Sequence, residues 1–239
     1  MNEFWSRFKW YVAGAGFLLF VGAIVLVVVL VNASDEGPIV AAPNPAAGPG
    51  TPEPPRIEKV QGQELKGTGN KQQSFKAGGG LTVFTMTHEG PRNFVVQYGQ
   101  GADLKLLMNQ IGPFQGSRAV GLPVGDYVLD IATTGKWTIT IDQSVPTEAN
   151  APPKKLEGDG VEASDFFALK TGPARFSLRH EAEGFFAPQL LKASDGTVIT
   201  LLANERGRFT GDKTVEIHEE GIYLLDVSAA GEWTVEVAQ

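Results

Sequence analysis

Gly125-Asp126-Tyr127-Val128-Leu129-Asp130-Ile131 returns 96 residues later as Gly221-Ile222-Tyr223-Leu224-Leu225-Asp226-Val227. In each stretch the large apolar side chains stand at every second position: Tyr127, Leu129 and Ile131 in one, Tyr223, Leu225 and Val227 in the other. A strand points alternate residues to opposite faces, so this period of two predicts a β-strand with one buried side. The likeness extends outward in both directions. Upstream, Gly101, Leu104, Leu106, Leu107, Asn109, Gly112, Phe114, Gly116, Arg118, Val120 and Leu122 are matched at an offset of 95 by Gly196, Ile199, Leu201, Leu202, Asn204, Gly207, Phe209, Gly211, Lys213, Val215 and Ile217. Downstream, Gly135, Trp137 and Thr138 are matched by Gly231, Trp233 and Thr234. Most of the C-terminal two thirds of this chain is a duplication.

The same period marks further strands at Phe84-Thr85-Met86 and Phe94-Val95-Val96, and in the second copy at Phe176-Ser177-Leu178 and Phe185-Phe186-Ala187. With the Leu104 to Met108 and Ser117 to Leu122 stretches, each copy holds about seven short strands separated by Gly and Pro. The predicted fold is all-β: two tandem antiparallel β-sandwiches of jelly-roll-like type. The strand of Trp137, Ile139 and Ile141 is expected to form a β-hairpin with that of Tyr127 across the turn at Gly135, and the second copy to repeat this at Gly231. The Trp and Tyr side chains then bury an apolar body while their polar atoms find a partner at the rim.

Ahead of the repeats, Tyr11 to Val31 is an uncharged, mostly apolar run of 21 residues. As a helix rising about 1.5 Å per residue it spans about 31 Å, the thickness of a bilayer core. Arg7 and Lys9 precede it and Asp35 and Glu36 follow it, which predicts a cytoplasmic N-terminus. The expected organisation is residues 1–10 in the cytoplasm, 11–31 as a transmembrane helix and 32–60 as a Pro-rich linker. It continues with 61–143 as the first repeat, 144–155 as a second linker and 156–239 as the second repeat. The alternative is a signal peptide cleaved near Ala33; both readings put the repeats outside the cytoplasm. Pro146, Pro152 and Pro153 in the second linker predict some freedom between the repeats. There is no Cys, so neither disulfides nor a lipid-modified cysteine anchors the fold, and the formal charge of −7 disfavours nucleic acid as a partner.

Few residues suggest chemistry. His88-Glu89 and His180-Glu181 are equivalent, and each could supply half of a metal site. Parity puts His88 on the face of Phe84 and Met86, and His180 on that of Phe176 and Leu178, so both imidazoles are expected to cap their own cores. Asp130 and Asp226 are expected to hold neighbouring loops, and Asn109 and Asn204 to satisfy backbone groups in turns. Glu157-Gly158-Asp159-Gly160 and Asp195-Gly196 lack a regular calcium-ligand series, and Gly78-Gly79-Gly80 lacks the Lys-Ser/Thr of a phosphate loop. His218 has no counterpart in the first copy. No catalytic, cofactor-binding or metal-binding set is expected.

Phe75-Lys76-Ala77-Gly78, Gly101-Ala102-Asp103-Leu104 and Gly125-x-Tyr127-x-Leu129 together resemble the prepeptidase C-terminal (PPC-like) type of bacterial surface β-sandwich. The Gly-x-Trp-Thr strands also resemble those of membrane-anchored proteins with exported domains. The second copy replaces Ala102-Asp103-Leu104 with Thr197-Val198-Ile199, and no peptidase domain accompanies the repeats. The resemblance implies a surface module and supplies no functional residue.

The expected function is non-enzymatic binding or scaffolding at the cell envelope, with an envelope protein or a glycan as partner. A carbohydrate-binding alternative would use Phe185, Tyr98 or Phe114 as stacking platforms. A metal-assisted enzyme would require His88 and His180 to approach each other. Residues common to both copies are what one sandwich needs to fold, so function is expected where the copies differ: in loops 90–93, 182–185 and 205–208.

Overall fold

A computed structural model describes residues 62–239, which belong to one compact unit. The expected cytoplasmic segment, transmembrane helix and Pro-rich linker lie outside the described residues. The rest is all-β, with no helix among the described residues. In the first repeat the strands are β1 (Gln63–Thr68), β2 (Lys71–Ala77), β3 (Gly80–Glu89), β4 (Asn93–Gln100), β5 (Asp103–Ile111), β6 (Phe114–Leu122), β7 (Gly125–Ala132) and β8 (Lys136–Asp142). One antiparallel sheet has the order β1-β8-β3-β6 and the other β2-β7-β4-β5.

In the second repeat the strands are β9 (Lys154–Asp159), β10 (Glu162–Ala163), β11 (Phe167–Leu169), β12 (Gly172–His180), β13 (Phe185–Lys192), β14 (Val198–Leu201), β15 (Glu205–Arg206), β16 (Phe209–Ile217), β17 (Gly221–Ala229) and β18 (Glu232–Ala238). The pattern is the same: β9-β18-β12-β16 forms one sheet, and β17, β13 and β14 the spine of the other. Here β10 and β11 together replace β2, and β14 with β15 replace β5. The second repeat begins at Lys154, two residues inside the stretch expected to be linker.

The inward faces are those that the period of two marks. Phe84, Met86, Leu129, Ile131, Ile139 and Ile141 fill the first core, and Phe176, Leu178, Leu225, Val227, Val235 and Val237 the second. The expected terminal hairpin does not form. Strand β7 pairs with β2 and β4, whereas β8 pairs with β1 and β3, so the turn at Gly135 carries the chain from one sheet to the other. Alternation fixes which face of a strand is buried but not which strand lies beside it. Two consecutive one-sided strands bury their faces equally well by facing each other across a sandwich core.

Two pairs of contacts close each copy. The Trp137 indole N–H donates to the Gly69 carbonyl oxygen at 3.0 Å, and that of Trp233 to Gly160 at 3.2 Å. Each indole packs closely against a glycine. A Cβ on Gly67 would sit 2.4 Å from the Trp137 ring, and one on Gly158 2.5 Å from the Trp233 ring. At the other end Tyr127 donates its hydroxyl proton to the Pro123 carbonyl and Tyr223 to that of Glu219, each four residues upstream. Burial first of all raises the pKa of both tyrosines above the ordinary value.

Candidate functional site

The two repeats pack against each other instead of lying apart on their linker. The outer face of β3 and the edge of β6 pack against the outer face of the β17–β13 sheet, joining Leu81 and Ala119 to Leu191, Ala193 and Leu224 in a third buried cluster. Val145, from the linker itself, packs into the same cluster, and Asn150 accepts a hydrogen bond from the Ala168 N–H. Apolar area removed from water on this seam opposes the freedom that the prolines suggested.

Asp226 is the polar centre of the seam and is only 3% exposed. Its carboxylate accepts from Arg118 Nε at 3.1 Å, from Arg118 Nη2 at 2.7 Å and from the Ala119 N–H at 2.9 Å. A carboxylate removed from water needs this many donors, and the planar guanidinium supplies two of them in one geometry. Beside it the Ser117 N–H donates to Val161 O at 3.0 Å, and the Ala163 N–H donates to Ser117 Oγ at 2.9 Å. Strand β6 is the last of its sheet, and the second repeat covers that open edge. Elsewhere on the seam two backbones approach each other directly. A Cβ on Gly196, in the turn before β14, would lie 2.3 Å from Gly121 Cα, so neither glycine can carry a side chain.

The expectation that Asp130 and Asp226 each hold a neighbouring loop is not met. Asp226 binds the other repeat. Asp130 occupies the same register, opposite Gln97 as Asp226 is opposite Gln189, yet its side chain makes no hydrogen bond or ion pair. The first repeat presents that face to no other part of the described chain. Around it Leu106 is 60% exposed, on the strand position equivalent to Leu201.

The two histidines are buried where parity puts them. His88 Nδ1 lies 2.8 Å from Gly112 O and Nε2 2.7 Å from Thr133 Oγ1; His180 places its two nitrogens 2.8 Å from Gly207 O and Ala230 O. Each ring stacks on a core phenylalanine of its own repeat, Phe94 or Phe186, with centroids 4.8 and 4.9 Å apart. With both nitrogens engaged inside separate cores, the imidazoles form no shared metal site. Among the described residues no cluster of His, Cys, Asp and Glu could hold a metal ion.

Other expectations fare unevenly. Asn109 lies within β5, exposed, and Asn204 is exposed just before β15; neither side chain makes the expected turn hydrogen bond. Asp195 does, accepting from the Thr197 N–H at 2.8 Å. Of the three aromatics considered for stacking on a sugar, Tyr98 and Phe114 lean on the first core, and Phe185 alone is half exposed, at 50%.

A cavity of about 560 Å³ opens beside the linker, lined by Ala149, Pro152, Leu169, Lys170, Gly221 and Ile222 among others. It forms where the linker folds back onto β11 and β17, a tertiary juxtaposition that no local pattern in the chain marks. Its lining is chiefly apolar but includes Glu148 and Glu220, and Gln239 exchanges two hydrogen bonds with the Lys170 backbone.

No family model and no curated protein matches the chain. Among solved structures it is similar to the PBSX exported protein XepA, at 8% identity over 74% of this chain and 85% of that one, with a TM-score of 0.24.

Proposed function

We propose that this chain is a membrane-anchored, extracytoplasmic, non-enzymatic protein whose paired jelly-roll-like sandwiches bind or scaffold at the cell envelope. The observation that carries the reading is the fate of the buried polar residues among those repeated. His88, His180, Asp226 and the two tryptophans are all committed to hydrogen bonds that build the repeats or join them, and none is left facing a reactant. The apolar run at residues 11–31, with basic residues before it and acidic ones after, supports anchoring. The strand order 1-8-3-6 facing 2-7-4-5 supports the jelly-roll reading, and the resemblance to PPC-like surface sandwiches points to the same side of the membrane.

Protease treatment of intact cells tests the proposal. Digestion of the repeats without breaching the membrane is the expected result; protection until lysis would reverse the orientation. A second reading, a ligand-binding module, draws on the apolar cavity by the linker and on exposed Phe185. Glycan-array binding that is lost in Phe185→Ala would favour it, and absence of any glycan binding would remove carbohydrate as the ligand.

A further inference from the structure

The seam between the repeats is heterologous: the β6 edge of one copy meets the outer sheet face of the next, two different surfaces. Each copy owns both surfaces, so the pair leaves one of each unused. At the free end of the second repeat is β16, the last strand of its sheet and the counterpart of β6. At the free end of the first repeat is the β7–β4 face around Asp130, the counterpart of the face around Asp226.

The residues on these two surfaces complement each other. Register puts Lys213 opposite Phe176 as Arg118 is opposite Phe84, so a basic side chain is retained at the docking position. Lys213 is exposed and makes no ion pair, and Asp130 makes none either. Thr214 takes the place of Ala119, whose N–H completes the Asp226 site. Where the seam has Val83 against a face containing Ile222, the free surfaces have Arg175 and Asp126, of opposite sign but each already ion-paired within its own repeat, with Asp212 and Lys76 respectively, so the new contact draws on Lys213 and Asp130. The glycine contact is replaced in a compensating way. Glu216 stands in the position of Gly121, but the opposing turn of five residues between β13 and β14 becomes two residues between β4 and β5, so less backbone stands in its way.

We propose that a second copy of this chain docks head to tail, seating its β16 edge on the Asp130 face of the first with Lys213 in the role of Arg118. The inference stands on the quasi-equivalent interface and not on membrane anchorage. An ammonium cannot reproduce the bidentate guanidinium pair, and exposed ion pairs are screened, so this contact is weaker than the seam and salt-sensitive. Because the operation is heterologous, it builds open chains or rings rather than closed dimers.

The test is sedimentation velocity of the full chain in a non-ionic detergent, over a concentration series in low salt and in about 1 M salt, where the screening length falls to about 3 Å. The expected result is concentration-dependent association beyond a dimer in low salt that disappears in high salt. Asp130→Lys and Lys213→Asp should each abolish it, and the double variant Asp130→Lys/Lys213→Asp, which restores opposite charges, should return it. A chain that stays monomeric throughout overturns the proposal. So does association that survives either single reversal, or that the double variant fails to recover while its near-UV circular dichroism remains that of the unchanged chain.

Discussion

Replacing Asp226 by Asn changes one oxygen for a nitrogen and keeps the shape, and it strikes the centre of the seam. The carboxylate that accepts from Arg118 and from the Ala119 N–H becomes a neutral amide, so one of its former acceptor positions now opposes a donor. Removing one partner of a fully buried ion pair costs about 3–5 kcal/mol. Arg118 is 24% exposed, so water can partly re-solvate the guanidinium. The expected loss is therefore smaller, about 2–3 kcal/mol. For a domain of this size about 1 kcal/mol moves the melting temperature by roughly 2–4 °C, giving a drop of about 4–12 °C. The equivalent Asp130→Asn removes no hydrogen bond and should stay within about 0.5 kcal/mol of the unchanged chain. Differential scanning calorimetry of both variants separates the cases. The single transition expected of coupled repeats should move, or split into two, in Asp226→Asn alone. Equal shifts in the two variants would refute the assignment of Asp226 to the seam.

Gly196→Ala should destabilise the seam by about 1–3 kcal/mol, because its Cβ meets the Gly121 backbone and Gly196 already has a φ of 71°; Gly101→Ala, with a φ of 60° but open space around it, should lose only the backbone share, as urea denaturation would reveal. Gly67→Ala and Gly158→Ala should each cost about 1–3 kcal/mol by pushing an indole off its carbonyl partner, seen as a red shift in tryptophan fluorescence. Tyr98, Tyr127 and Tyr223 all have raised pKa values, chiefly from burial. A folded-state value above the unfolded one gives stability that is whole below about pH 10 and is lost as pH rises through the folded values, so absorbance at about 295 nm should show these phenols ionising late, together with alkaline unfolding.

The inward faces were legible because alternation alone determines them: Phe84, Met86 and His88 share a side whatever strand lies next to β3. Strand neighbours were not legible, since Tyr127 and Trp137 bury the same area whether their strands pair or oppose each other. One local signal did go unread. Leu65-x-Gly67-x-Gly69 matches Leu156-x-Gly158-x-Gly160 at an offset of 91, and both triplets prove to be the seat of a tryptophan. The seam was hidden for a deeper reason. Asp130 and Asp226 are identical in type and local pattern, and what separates them is that Asp226 meets a partner 108 residues away in the chain and Asp130 meets none. Duplication thus marked the residues of the fold and masked the one carboxylate that gained a second task.

The cover that the second repeat lays over β6 bears on how the protein is made and how it can be cut. A ribosome delivers the first repeat before the second exists, so β6 leaves synthesis as a bare sheet edge beside exposed Leu81 and Ala119 until another hundred residues have followed. The reverse fragment is no better off. Released alone, the second repeat would show solvent an apolar patch of Leu191, Ala193 and Leu224 with a carboxylate at its centre and no cation to meet it. Two units that look interchangeable in sequence are in this respect each other's missing piece, and the smallest fragment that keeps the β6 edge covered is the tandem itself.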